Sequence, residues 1–481
     1  MSRGTSIHFT YPITVAVLLS SGAGSQTEYM RVDMRKDFRN DTGALASVQK
    51  DIGKGSLSHT RKRRRASWLL PLSVLGPGLV AASAGNDAGG IYTYSSMGAQ
   101  FGYSMLWVMV VLTLGMAIVQ EMCSRMGAVT GKGLSDLIRE NFPLRVTALV
   151  MLSFLLANSG VIISEFIGIV AALRIFNVPP WISAPVAGFL LWWLVVKGSY
   201  ARVEKIFLAL TLVFFAYFIA AFLAKPAWGQ VAIGSVVPTI QFNSAYLFML
   251  VTAVGTTISP YMQIYIQSAV VERGVNMREY GHERIDVYSA AIFSNLVAGV
   301  IIIACAATLF VHSGGKGVVL KDAADAALAL APFLGHFAST VFAIGLLGAS
   351  FLAAGVLPLS TCYSITETLG LENGVSKSWK EAPVFWGLFT ALIIIGVVVA
   401  MLPNLPVVQV LLNLYLLNGI VLPVILFSVL WLVNNKRLMG TYTNGPIFNA
   451  LAYTLTIIVS LLAILSVAVQ VCSFFGIQLL G

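Results

Sequence analysis

Asp87 lies in Ala84-Gly85-Asn86-Asp87-Ala88-Gly89-Gly90, a helix-breaking patch within a stretch that otherwise reads as one membrane span from about 68 to 97. A carboxylate at that depth is costly unless it meets a cation or a proton. The glycines lower helix propensity and free backbone carbonyls, which are tolerated at membrane depth only where they line a cavity or are buried in protein. A second break follows at Gly255-Thr256-Thr257-Ile258-Ser259-Pro260. Proline there removes a donor and displaces an upstream carbonyl, while neighbouring hydroxyls can serve freed backbone groups. Carboxylate, carbonyl and hydroxyl oxygens at two broken helices are the chemistry of a dehydrated or partly dehydrated cation.

The elements that must position these residues are membrane helices. The chain is 57% hydrophobic and only 10% charged, with mean hydropathy +0.84, a composition that no soluble globule could cover. Apolar runs predict eleven spans, near 68–97, 103–125, 145–174, 181–196, 206–224, 244–272, 287–311, 337–366, 383–402, 406–433 and 447–475. The net charge of +10 resides in loops and a terminal tail, which excludes a nucleic-acid reading. With the amino terminus in the cytoplasm, fourteen loop Lys and Arg fall inside, against Arg174, Lys225, Lys316 and Lys321 outside. The expected location is the plasma membrane, multi-pass. Cys123, Cys305, Cys362 and Cys472 each sit in an apolar segment without CxxC spacing and read as small core residues.

Residues 1–64 form a polar, basic tail, expected to be disordered and cytoplasmic; the alternative is a cleaved signal peptide, which the apolar run Tyr11–Leu19 imitates. Arg61-Lys62-Arg63-Arg64-Arg65 abuts the first span as an anchor on anionic lipid. The membrane domain, 65–475, divides into a first repeat (68–224), a second (244–402) and two further helices (406–433 and 447–475). Broken spans one and six stand five apart, the spacing of inverted five-span repeats whose discontinuous helices meet at the bilayer midplane.

Several segments resemble the Nramp family of divalent-metal transporters, and the lack of a methionine before Pro260, where Ser259 stands, resembles its Mg²⁺-related branch. The segments are Gly76-Pro77-Gly78 with Asp87 nine residues on, Gly98–Trp107, Gly127–Gly133, Phe342–Leu347, Gln409–Leu412 and Asn435–Gly440. The resemblance implies an all-α LeuT-like fold of about eleven transmembrane helices in five-plus-five inverted repeats, with a metal site between unwound helices one and six. It also implies carbonyl ligands from Ala84 and Thr256, and a helix-ten glutamine, Gln409, which reaches the ion or hydrogen-bonds between helices.

Departures from the family pattern bear on the ion. Where the family has Asp-Pro-Gly-Asn, this chain has Asp87-Ala88-Gly89-Gly90, so Gly90 stands in place of an amide ligand and Asn86 becomes a candidate. Ser259 replaces the family's methionine before Pro260, and the chain is one residue longer around Met262 and Gln263, the latter a further candidate. Thioether sulfur favours the softer transition metals, whereas oxygen suits Mg²⁺, Ca²⁺ and Mn²⁺. A wider oxygen site also suits Mg²⁺, which keeps part of its water. Mg²⁺ with Mn²⁺ is therefore the expected cargo. Tyr261 occupies the place of the proton-coupled members' histidine, and Ile162 with Glu165 the place of their acidic pair; uptake without proton coupling follows, with Glu165 left as a path residue or a hydrogen-bonded carboxyl.

The alternatives are a proton-coupled Mn²⁺/Fe²⁺ carrier and an amino-acid carrier of the same fold. An intramembrane aspartyl protease would need a second deep aspartate facing Asp87. Glu121 and Arg125, four apart, read as a helix ion pair, and Asn158, Asn295, Asn413 and Asn418 as interhelical glue. No P-loop, HExxH or Cys/His cluster points to an enzyme. Neither a cofactor nor an obligate protein partner is implied; the expected partners are the metal ion and the bilayer.

Overall fold

The long described helices follow from apolar runs with few breakers, and the computed structural model describes residues 86–197, 215–321, 337–402 and 406–475. The amino-terminal tail, Ala84 with the rest of span one before Asn86, and the start of span five lie outside those residues. In chain order the helices are α1 (Ala88–Phe101), α2 (Leu106–Thr130), α3 (Leu134–Asn141), α4 (Leu144–Ile175), α5 (Pro180–Lys197), α6 (Phe215–Leu223), α7 (Trp228–Val236) and α8 (Ser244–Thr257). They continue with α9 (Pro260–Glu272), α10 (Tyr280–Cys305), α11 (Phe337–Leu369), α12 (Pro383–Ala400), α13 (Val407–Val433), α14 (Lys436–Met439) and α15 (Pro446–Phe474).

Among the described residues, nine helical stretches are long and apolar enough to cross a bilayer, where eleven spans are expected. The difference has a simple source. Ala88–Thr130 counts as one stretch of 43 residues, about 64 Å of helix and twice a bilayer's hydrocarbon thickness. It turns at Gly102, whose φ of 60° and following 3₁₀ turn separate span one from span two. Span five is represented by α6 alone.

Burial sorts the helices. In Ser244–Glu272, which holds α8 and α9, 89% of the apolar window is buried, against 28% in Pro446–Cys472. The broken helix is thus central and α15 peripheral. Leu149, Leu152 and Leu156 on α4, and Ile457, Leu461 and Ile464 on α15, point outward and exposed, as residues solvated by lipid do. Around the centre, α4 packs along α11, α12 and α13; α8 lies against α13 and α1; α9 against α2 and α11; and α10 against α1 and α2.

The α8–α13 crossing depends on missing side chains. A Cβ at Gly255 would overlap the Tyr415 carbonyl oxygen and the Gly419 amide, and one at Gly419 would lie 2.5 Å from the Val251 carbonyl oxygen. Backbone meets backbone there, just before the break in the central helix, so no side chain can yield.

Polar ties hold the bundle elsewhere. Glu121 and Arg125 form their ion pair at 3.1 Å, Arg125 also donates to the Tyr442 carbonyl (2.6 Å) and to Asn444, and Tyr280 donates its hydroxyl to Glu121 (2.8 Å). This cluster fastens α2 to α10 and to the turn before α15. Asn158 of α4 donates to the Leu357 carbonyl of α11 at 3.2 Å and to Thr361. All four cysteines are free thiols, three of them buried.

Gly255→Ala is expected to cost about 1–3 kcal/mol by overpacking, seen as a lower melting temperature of the detergent-solubilised protein. Gly299→Ala, where a Cβ meets nothing within 4 Å, is expected to leave it unchanged or higher.

Candidate functional site

Helix α1 begins at Ala88, directly after Asp87, so Gly89 and Gly90 are helical and not part of an unwound segment. Asp87 is its amino-terminal cap: the carboxylate Oδ1 accepts from the Gly90 N–H at 2.7 Å, while the Asp87 carbonyl accepts from Ile91 at 2.9 Å. Such a cap satisfies an orphan donor and sets a negative charge against the positive end of the helix dipole. Gly89 serves another need, since a Cβ there would overlap the ring of Tyr415.

Glu165, midway along the 32-residue α4, meets the same helix end. Its Oε2 accepts from the Ala88 N–H at 3.1 Å, and its Oε1 accepts from Ser164 Oγ at 3.1 Å. The phenol of Tyr415, on α13, lies between the two acids: its hydroxyl contacts Asp87 Oδ2 and stands 3.2 Å from Glu165 Oε1. Asp87, Glu165 and Tyr415 are each 0% exposed. Among the described residues, every group touching the two carboxyls is an N–H or O–H donor and none is a cation. Two acids buried together, with one phenolic hydrogen between them, require a compensating positive charge, either a proton or a metal ion.

The second break is confined to Ile258 and Ser259, between α8 and α9. Pro260 opens α9 where its missing N–H does no harm, and leaves the Thr256 carbonyl without its helical donor. Ser259 supplies one: its Oγ lies 2.9 Å from the Thr256 carbonyl oxygen and 2.5 Å from that of Gly255. Serine here therefore caps the broken end as a donor, while its lone pairs stay available. Thr256 Oγ1 is 3.5 Å from Thr93 Oγ1, and Tyr94 bonds Thr257 at 3.1 Å, so hydroxyl pairs join α1 to α8 across the two breaks.

Neutral oxygens complete the surroundings. Asn86 spends its NH₂ group on the Ser294 carbonyl (3.0 Å) and hydroxyl (2.8 Å) of α10, leaving Oδ1 buried without a hydrogen-bond partner. Gln263 donates to the Ser259 carbonyl at 3.3 Å, and its Oε1 is likewise buried and unpartnered. Buried acceptors of this kind demand an explanation, and a cation or ordered water is one. Met262 points its sulfur to Gln120, 3.9 Å away, and the Tyr261 carbonyl accepts from Ser360 at 2.9 Å.

Of the residues expected from sequence, Asp87, Gly90 and Glu165 come together at one helix end. Thr256, Ser259 and Gln263 gather at the other break, and Asn86 adjoins the first. Tyr261 is buried in the first turn of α9. Gln409 is not brought in: it is exposed and donates to Asn413 at 3.0 Å, nearly two helical turns before Tyr415. Ala84 lies outside the described residues. Tyr415 is the residue that sequence reasoning passed over. Its signal is a phenol in a stretch of α13 otherwise made of Leu, Ile, Val, Gly and Asn, and a buried phenol usually finds a partner.

Comparison with known proteins gives the family and the fold. Residues 78–469 match the family model "Natural resistance-associated macrophage protein-like". A relative in Ralstonia nicotianae, "Divalent metal cation transporter MntH", is 30% identical over 413 residues, covering 82% of this chain and 90% of its own. A protein of the same name in Klebsiella pneumoniae is 30% identical over 61% of this chain and 70% of its own. Among solved structures, the manganese transporter of Eremococcus coleocola has the same fold, with TM-score 0.67 and 20% identity over 86% of this chain and 89% of its own. MhsT, solved in complex with L-phenylalanine, gives TM-score 0.51 and 14% identity over 81% of this chain and 97% of its own. The all-α, LeuT-like architecture is therefore shared, and this chain belongs to the Nramp family, whose members are membrane transporters and not enzymes.

Proposed function

We propose that this protein carries divalent metal cations, Mg²⁺ principally and Mn²⁺ also, into the cytoplasm by alternating access without proton coupling. It does so in the plasma membrane, with its amino terminus cytoplasmic. The relatives named for divalent metal and manganese transport support the general class. The observation that carries the choice of ion is Ser259 at the helix break, where a hydroxyl caps the Thr256 carbonyl. With Asp87 as the charged ligand, Thr256 and Ser259 offer oxygen at the second break, and Asn86 and Gln263 present unpartnered amide oxygens near them. Such a set favours hard cations that keep part of their water. Ala84 remains the proposed carbonyl ligand of helix one, and Gly90 leaves room where an amide would stand.

The amino-acid alternative loses support at α1. A substrate carboxylate would need free N–H groups at the helix start, but those of Ala88 and Gly90 are taken by Glu165 and Asp87, and two acids repel a third. The proton-coupled alternative gains one observation, the contact chain Asp87–Tyr415–Glu165, along which a proton could pass.

Three measurements in proteoliposomes decide among these readings. Asp87→Asn is expected to lower Mg²⁺ and Mn²⁺ flux by roughly 100-fold; flux equal to wild type refutes the site. Ser259→Met is expected to move selectivity toward Mn²⁺ by roughly tenfold, or about 1.4 kcal/mol; an unchanged Mg²⁺/Mn²⁺ ratio refutes the role of the hydroxyl. Under an inside-negative potential, Mg²⁺ uptake is expected without acidification of a trapped pH dye, and proton influx scaling with metal flux establishes the coupled alternative instead.

A further inference from the structure

The geometry points to Tyr415 as a displaceable plug: its hydroxyl holds Asp87 Oδ2, and a cation that binds that oxygen must expel it. The inference rests on Asp87 being the charged ligand.

Three contacts support it. The hydroxyl is in contact with Asp87 Oδ2, the oxygen that the helix cap does not use, since Oδ1 is held by Gly90 at 2.7 Å. The Gly90 N–H is fixed in the first turn of α1, so the phenol is the movable partner. The ring lies directly over Gly89, filling the space beside Asp87 so closely that even a methyl group on that glycine would overlap it. Finally, the Tyr415 backbone is set against Gly255, in the last turn of α8 before the break at Ile258 and Ser259. Tyr415 thus runs from the α8–α13 crossing at its backbone to Asp87 at its hydroxyl.

A purely structural phenol would need only one acceptor and no particular neighbour. This one is wedged between two acids and presents its partly positive hydrogen where a dication would place its charge. An ion that approaches the lone pair of Oδ2 on which the hydroxyl sits excludes it, because both come to that one position as positive charge. Displacement makes the ion-competent state a fraction of the carrier population, and apparent affinity falls by that fraction. Tyr415 is therefore a residue that sets affinity by competition, and it does so without being a ligand. The glycine at 89 belongs to the same device, since any side chain there would push the ring away.

The test measures Mg²⁺ binding to the purified full-length protein by calorimetry and by the rise in melting temperature with added MgCl₂. Tyr415→Phe keeps the ring and removes the hydroxyl, so it is expected to bind Mg²⁺ roughly tenfold more tightly, the scale of one charge-assisted hydrogen bond. Its ion-free form melts lower than wild type and recovers more stability on adding Mg²⁺. Gly89→Ala, which displaces the ring while retaining the hydroxyl, is expected to tighten binding in the same direction. Weaker or unchanged binding in Tyr415→Phe, with the protein still folded, overturns the plug and makes Tyr415 a ligand or a strut. Should Tyr415→Phe not fold, Gly89→Ala decides alone by the same criterion. Asp87→Asn is measured alongside: if it binds Mg²⁺ as wild type does, the ligand assignment falls, whereas abolished binding there with no tightening in the other variants defeats the plug alone.

Discussion

Two carboxyl groups buried at one helix end govern this structure. Asp87 and Glu165 both turn toward the start of α1 and take the N–H groups of Gly90 and Ala88. The helix dipole and these donors offset part of the negative charge, and the Tyr415 hydroxyl offsets a little more. A full positive charge is still owed in a place from which water is excluded. A proton or a cation would supply it, and the start of the helix suits the two acids: only a helix that starts there offers unpaired N–H groups at that depth.

The second break answers the first with opposite polarity. Where α1 presents donors, the end of α8 presents the carbonyls of Gly255 and Thr256. An ion between the breaks would meet acids on one side and backbone oxygens on the other. Close packing keeps the two ends in register: Gly255 and Gly419 bring α8 and α13 to backbone contact, and that contact sets Tyr415 over Gly89. A methyl group at any of these glycines would change the distance between the breaks, so the packing belongs to the site as much as its oxygens do.

How much of this could be read beforehand depended on whether the signal was local. Asp87 amid glycines and Pro260 after a run of hydroxyls announce themselves in the sequence, because a charge or a missing donor in an apolar segment has no inexpensive explanation. Glu165 was visible for the same reason. The span count was legible too, apart from the described length of spans one and five. Gly89 and Gly90 carry a different cause from the one their low helix propensity suggests: it predicts unwinding, yet both lie inside α1, and Gly89 admits the ring of a tyrosine 326 positions later. Gln409 misled in another way. A match to a pattern fixes a residue's place in the chain, but helix rotation decides where its side chain goes, and here it faces outward to Asn413. Tyr415 could not be paired with Asp87 from one sequence, since nothing local tells which hydroxyl in span ten crosses to span one.

Serine at the break shows how one substitution acts on two levels. A thioether has no hydrogen to give, so with methionine before Pro260 the Thr256 carbonyl would keep its lone pairs entirely for the ion. Serine shares its one hydroxyl hydrogen between that carbonyl and the nearer one of Gly255, which draws electron density from them and weakens them as ligands, while adding a hard oxygen of its own. The net effect is a softer grip by harder atoms. For a strongly hydrated dication that combination is productive, because an ion that surrenders only part of its water needs few direct ligands and must be able to leave. On the proposed reading, tight dehydration would trap Mg²⁺, whereas partial coordination by Asp87 and weak neutral oxygens would let it exchange water for protein and back again with small steps in free energy.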